Sequence, residues 1–214
     1  MTTSSKRFGA LVPLATAFAI GAAGVLAGTA GARTNVASAA YRLTATLTAS
    51  QEVPAVQAPA GAVGHFHGIL FRSGVAPTRV ASLAGCKVIT PPKRSGLPTK
   101  LNCNGSVVTM PAAGQWRLIW RLTYSGLTGA ATRVDIHLAP AGHAASAAFT
   151  LCSPCHASSV SGGAMTHGSM TLAADQATSL SSSSSYVNVD TAAHPGGEIR
   201  GQITRTTIGF SLGR

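Results

Sequence analysis

Cys152, Cys155 and His156, in the stretch LCSPCH at residues 151–156, have the C-x-x-C-H spacing that attaches a c-type haem covalently and supplies an axial histidine. The surroundings argue for plainer chemistry. A haem of this kind needs helices around an apolar pocket. Here the motif runs into ASSVSGGAMTHG, where only Met165, His167 and Met170 offer a nominal second ligand. A thioredoxin-like redox role needs a helix N-terminus to lower a thiol pKa, and no such setting is legible. With Cys86 and Cys103 the chain has four cysteines, which allow three disulfide connectivities. Cys86–Cys103 with Cys152–Cys155 is the favoured pattern, since each pair is close in sequence and flanks its own turn. Disulfides are expected, not haem. No Gly-x-Ser-x-Gly elbow, Gly-rich phosphate loop or His-Glu-x-x-His occurs, so no catalytic residue is singled out.

The elements that must carry these residues follow a period of two. YRLTATLTA puts Tyr41, Leu43, Ala45 and Leu47 on one side and Arg42, Thr44, Thr46 and Thr48 on the other. QWRLIWRLTY alternates in the same way from Trp116 to Tyr124. Further strands are expected at 63–71, 79–90, 101–109, 131–138, 146–151, 168–173, 186–190 and 198–206, with Gly, Pro, Ser and Asn between them. No window outside the N-terminus predicts an amphipathic helix. The Ser-rich run 179–185 reads as a flexible turn, and Cys86 and Cys103 bracket an insertion of about 86–110 around the polar loop PPKRSGLPTK. The expected class is all-β, an antiparallel, Greek-key-like β-sandwich.

Ahead of that domain, Lys6 and Arg7 precede an apolar run with no charge until Arg33. Cleavable small residues follow at Ala30-Gly31-Ala32 and Ala37-Ser38-Ala39. Residues 1–39 thus read as a secretory signal cut near 32 or 39, with an uncleaved anchor as the alternative. The domain is expected over 41–206, followed by a tail at 207–214, with no stable membrane span after cleavage. From Tyr41 onward there are 13 Lys/Arg against 5 Asp/Glu, a net charge of +8. An exported basic domain suits an extracellular protein or an anionic envelope polymer as partner. Scattered basic residues without aromatic stacking motifs speak against nucleic acid.

Several stretches resemble the chordin-type (CHRD) domain family: SQEVP near the start, YSGLTGAAT leading into DIHLAPAG, and YVNVDTAAHPGGEIRGQI near the end. The resemblance implies an extracellular all-β domain and carries no catalytic residues. It departs at Asp135 and Asp190, where the family usually has His, and the Cys-bracketed insertion is not part of the common pattern.

Strand alternation gathers the charged residues of these motifs on one face. Arg133, Asp135 and His137 lie opposite Val134 and Ile136, Asn188 and Asp190 lie opposite Val187 and Val189, and Glu198 and Arg200 lie opposite Ile199. Two chemistries fit this face. Asp135, His137 and Asp190 have the ligand types for zinc, copper or manganese. The favoured alternative is a network in which the carboxylates pair with Arg133 and Arg200, and a ligand contact is a third option. A second pair, His65 and His67, shares a strand face and reads as surface cover. The favoured function is a secreted, non-catalytic binding or envelope-associated module without a cofactor. The alternative is a metal-binding or metal-dependent enzymatic domain using Asp135, His137 and Asp190.

Overall fold

The alternation in YRLTATLTA becomes β1 (Ala40–Thr48), with Leu43 and Leu47 fully buried and Arg42 and Thr46 exposed. The computed structural model describes residues 40–182 and 184–208. The signal expected at 1–39 and the tail from 209 on lie outside the described residues. The remaining strands are β2 (Val63–Arg72), β3 (Lys87–Ile89), β4 (Lys100–Cys103), β5 (Ser106–Thr109), β6 (Trp116–Ser125), β7 (Ala131–His137), β8 (Ala147–Cys152), β9 (Ser158–Val160), β10 (Gly163–Leu172), β11 (Tyr186–Thr191), β12 (Ile199–Gln202) and β13 (Thr204–Ile208). One antiparallel sheet runs β8-β7-β11-β12-β1-β2-β6-β10-β9, with β13 also paired to β1.

This sheet curls on itself. Cys152 Sγ on β8 lies 4.0 Å from Thr166 Oγ1 on β10, although six strands separate β8 from β10 in the sheet order. The enclosed face holds the main core, including Leu47, Phe66, Leu122, Ile136, Val187 and Ile199. The expected all-β, sandwich-like class is the one the chain adopts.

A second layer covers the outside of β2 and β6. There Ile69, Leu70 and Phe71 are buried in succession, as are Leu118, Ile119 and Trp120. Consecutive apolar residues in a strand need cover on both faces. The small sheet β3-β4-β5 and the helix α1 (Pro77–Ala84) supply that cover. They form a second core in which Ile69, Phe71 and Ile119 meet Val80, Leu101 and Val108.

Several local expectations need correction. Residues 79–90 are not one strand. Pro77 starts α1, Gly85 ends it in the left-handed region at φ +67°, and only Lys87–Ile89 is extended. Residues 101–109 are a hairpin, because Asn104 and Gly105, at φ +53° and +89°, turn the chain between β4 and β5. The insertion is therefore a folded sheet and not only a loop. The Ser-rich run is helical as far as Ser182 in α2 (Ala174–Ser182), which buries Ala177, Leu180 and Ser181. The hydroxyls of Ser181 and Ser182 donate to the Thr178 carbonyl at 3.2 and 2.6 Å, so the serines satisfy themselves within the helix. The expected strand 198–206 is split at Ile203 into β12 and β13, and β13 continues to Ile208.

Both favoured disulfides are present. Cys86–Cys103 and Cys152–Cys155 have Cα separations of 4.4 and 5.0 Å, which leaves neither Cys152 nor Cys155 a thiol for haem attachment. The Cys86–Cys103 bond closes the inserted sheet at its base. A Cys86→Ala/Cys103→Ala double variant should lose about 3 kcal/mol of stability by the loop-entropy argument, read from guanidinium unfolding. An unchanged midpoint would mean that packing alone holds the insertion.

Candidate functional site

The polar face forms because β7, β11 and β12 are neighbours in one register. Asn188 on β11 sits opposite Asp135 on one side and Arg200 on the other. Tyr186 sits between His137 and Gln202, and Asp190 faces Arg133. Behind them Val134, Ile136, Val187, Val189 and Ile199 are fully buried in the main core. The alternation placed these side chains correctly. The unexpected finding is that their own face is also covered, with Asp135, Asn188, Asp190 and Arg200 all under 10% exposed.

One half of the face is a stack that holds a loop. The Arg200 guanidinium lies 3.4 Å over the Tyr186 ring, and Tyr186 stacks on His137 at 4.6 Å between centroids. Arg200 Nη2 donates to the His143 carbonyl at 2.7 Å, and Gln202 Nε2 donates to the Ala139 carbonyl at 3.0 Å. His137 Nδ1 lies 2.8 Å from the Ala145 carbonyl oxygen. Every polar end points into the segment linking β7 to β8. Backbone carbonyls, not carboxylates, are the hydrogen-bond partners of Arg200.

The other half gathers acids. Arg133 Nε and Asp135 Oδ2 form an ion pair at 2.6 Å, and Asn188 Nδ2 donates to Asp190 Oδ1 at 3.0 Å. Sequence reasoning missed the next member, Glu52. The 3-10 turn Ala49–Gln51 after β1 brings it in, and it is only 7% exposed. The sole signal was its place in SQEVP. Gly197, at φ +126°, makes the approach possible. A Cβ there would sit 2.7 Å from Asn188 Oδ1 and 2.8 Å from Glu52 Oε1.

Burial pushes the Glu52 carboxyl up to about 7, with the Arg200 charge opposing and the Asp190 charge adding to the rise. Burial also lifts Asp190 to about 6, with Asp135 adding and Arg133 opposing. Glu52 Oε1 and Asn188 Oδ1 are both buried without a hydrogen-bond partner. Both lie close to Gly197, and a protonated Glu52 carries a donor that the carboxylate lacks. The geometry and the raised pKa therefore agree on a neutral Glu52 below pH 7.

Of the expected pairing of Glu198 or the aspartates with Arg133 and Arg200, the described residues show Arg133 with Asp135, and Glu198 takes other partners. It is fully buried and accepts from the Thr128 N–H at 2.6 Å, the Thr128 hydroxyl at 2.7 Å and the Thr191 hydroxyl at 2.6 Å. Burial pushes its carboxyl up, but these hydrogen bonds and nearby His194 outweigh it and leave the group below the usual carboxylate range. Glu198 fastens the β6–β7 connection to β11.

The metal alternative finds no site. Among the described residues no group of three or more His, Cys, Asp or Glu is placed to hold an ion. In the β7–β11 register His137 and Asp190 lie four residues apart, roughly 13 Å along the strands, so Asp135, His137 and Asp190 cannot share one centre.

Two predictions follow from these acids. Glu52 and Asp190 bind protons more tightly when folded, so their contribution is present below the unfolded values near 4 and is lost as pH rises through about 6 to 7. Glu198 acts oppositely, and its contribution is lost as pH falls. From these groups, stability should peak near pH 4 and fall as pH rises from there toward about 7. Glu52→Gln should remove a loss on the order of 3 kcal/mol at pH 8, whereas Glu198→Ala should destabilise by a few kcal/mol at about pH 5 and at about pH 8 alike. Thermal melts from pH 4 to 9 read this, and an identical pH profile for wild type and Glu52→Gln would contradict it. Gly197→Ala should cost roughly 3 kcal/mol from backbone strain and collision with Glu52 and Asn188. An unchanged melting temperature would show that the site yields freely.

The family model for the CHRD domain matches residues 79–203, from α1 to the end of β12. β1 and Glu52 precede the matched stretch. Comparison with curated proteins and with solved structures found no match. The matched stretch spans more than half of the chain and contains the paired β7, β11 and β12 rows, and the chain belongs to the CHRD domain family.

Proposed function

We propose that this CHRD domain is a secreted, non-catalytic module that docks on an anionic polymer of the cell envelope. One observation carries the reading: all but one of the acids are inside and most of the bases are outside. Glu52, Asp135, Asp190 and Glu198 are all buried. Among the described residues Asp175 is the one exposed carboxylate, against eight exposed Lys and Arg. Such a surface attracts polyanions over several ångströms and repels cationic neighbours.

The insertion concentrates this character. It exposes Lys87, Lys93, Arg94 and Lys100, and the large apolar residues exposed on the domain, Ile89, Leu97 and Val107, all lie there too. Cations beside exposed apolar side chains suit a partner surface better than bulk water. Two disulfides support an oxidising, extracytoplasmic compartment. No helix among the described residues is long and apolar enough to cross a membrane.

The test is sedimentation of the purified domain with isolated envelopes across a salt series. Affinity should fall steadily with salt, and Lys93→Glu/Arg94→Glu/Lys100→Glu should weaken binding roughly tenfold or more. Salt-independent binding, or binding unaffected by charge reversal, would overturn the reading. Retention on a single acidic protein after polymer removal would replace the polymer with that protein.

A further inference from the structure

A cleft of about 370 Å³ opens where the inserted sheet leans against the outer face of the main sheet. Its floor is one row of the register. His67 on β2, Arg121 on β6 and His167 on β10 face one another directly across adjacent strands, and Arg42 on β1 lies diagonal to His67. Neighbouring strands are roughly 4.8 Å apart, so these side chains stand side by side. Ser106 on β5 and Asn104 in the preceding turn form the opposite lip. No carboxylate lines the cleft.

Like charges directly across a sheet destabilise it, and a row of imidazole, guanidinium and imidazole beside a second guanidinium has no internal compensation. Burial and the charges of Arg121, His65 and Arg42 hold His67 below the ordinary imidazole range. Burial is the largest cause, and the surrounding positive charges act in the same direction. Arg42, His67 and Arg121 are exposed, so their donors remain available to a ligand. The cleft volume lies within the range of small-molecule sites.

We infer that this cleft binds a phosphate-type oxyanion, held by the Arg42 and Arg121 guanidiniums and by His67. Planar guanidinium forks match the paired oxygens of a phosphate, and imidazole adds a donor on protonation. Ser106 Oγ and His167 Nε2 lie 3.2 Å apart, but His167 Nδ1 is buried without a partner. The ring thus lacks the acceptor that orients a catalytic histidine, and the pair serves as a wall of the site rather than as a nucleophile and its base. The inference deepens the docking reading, on which it rests only for where the anion comes from. The anion is either a free phosphoester or a phosphodiester within an envelope polymer.

Titration calorimetry with inorganic phosphate, against chloride at equal ionic strength, tests the cleft directly. A glycerol phosphate oligomer supplies the polymer arm. Saturable phosphate binding should depend on the Arg42 and Arg121 charges, because falling pH protonates both His67 and the phosphate itself and the two effects oppose each other. Arg42→Gln/Arg121→Gln should weaken it at least tenfold, while Arg205→Gln, exposed on β13 and outside the cleft, leaves it unchanged. If the cleft variant loses both phosphate and oligomer, the polymer is the source. If it loses phosphate alone, a free phosphoester is the ligand. An absence of saturable phosphate binding to wild type, or equal affinity in the cleft variant, overturns the inference, and the envelope salt series still judges docking separately.

Discussion

A carboxylate taken out of water needs a cation, a set of donors or a proton, and this domain uses all three. Asp135 has the guanidinium of Arg133. Glu198 has two threonine hydroxyls and a backbone N–H. Glu52, beside Asn188 and the negative Asp190, retains a proton close to neutral pH. The face of β7, β11 and β12 is built around these solutions, and the loops over it are held by the same strands. Arg200 and Tyr186 fix the β7–β8 segment, Glu198 fixes the β6–β7 segment, and Gly197 lets the chain pass close to Glu52.

Internalising the acids has an external consequence. With five carboxylates in the chain and four of them buried, the surface keeps its bases almost uncompensated. The positive charge of the exterior is thus tied to the fold of the interior. It favours anionic partners without requiring a dedicated motif, and it explains why the basic residues look scattered in sequence.

The insertion gives that surface a shape. Its helix and small sheet exist because β2 and β6 are apolar on both faces and cannot be left wet. Covering Ile69, Phe71 and Ile119 brings Ser106 and Asn104 over the polar continuation of the same strands, at His67 and Arg121. A structural need for cover therefore also makes a walled cationic cleft.

The sequence by itself determined what depends on near neighbours. Period-two alternation set the strands and the face of each side chain from Arg133 to His137 and from Tyr186 to Asp190. Short separations favoured the Cys86–Cys103 and Cys152–Cys155 pairs among three connectivities, and the structure contains them. Two short helices escaped because Val80–Ala81 and Ala177–Leu180 offer too few apolar positions to display a 3.6-residue period. The hairpin at Asn104–Gly105 was legible in principle, as that dipeptide favours two consecutive positive φ values. Only the tertiary structure decided which of the aligned charges would be buried, that Glu52 from the first strand's end meets Asn188 and Gly197 near the last, and that His67, Arg121 and His167 share one row. Those outcomes depend on strand order and curl, which arise from closing one sheet around a core. Alternation shows which side chains share a face of a strand, but it does not show which strand lies alongside or what covers that face.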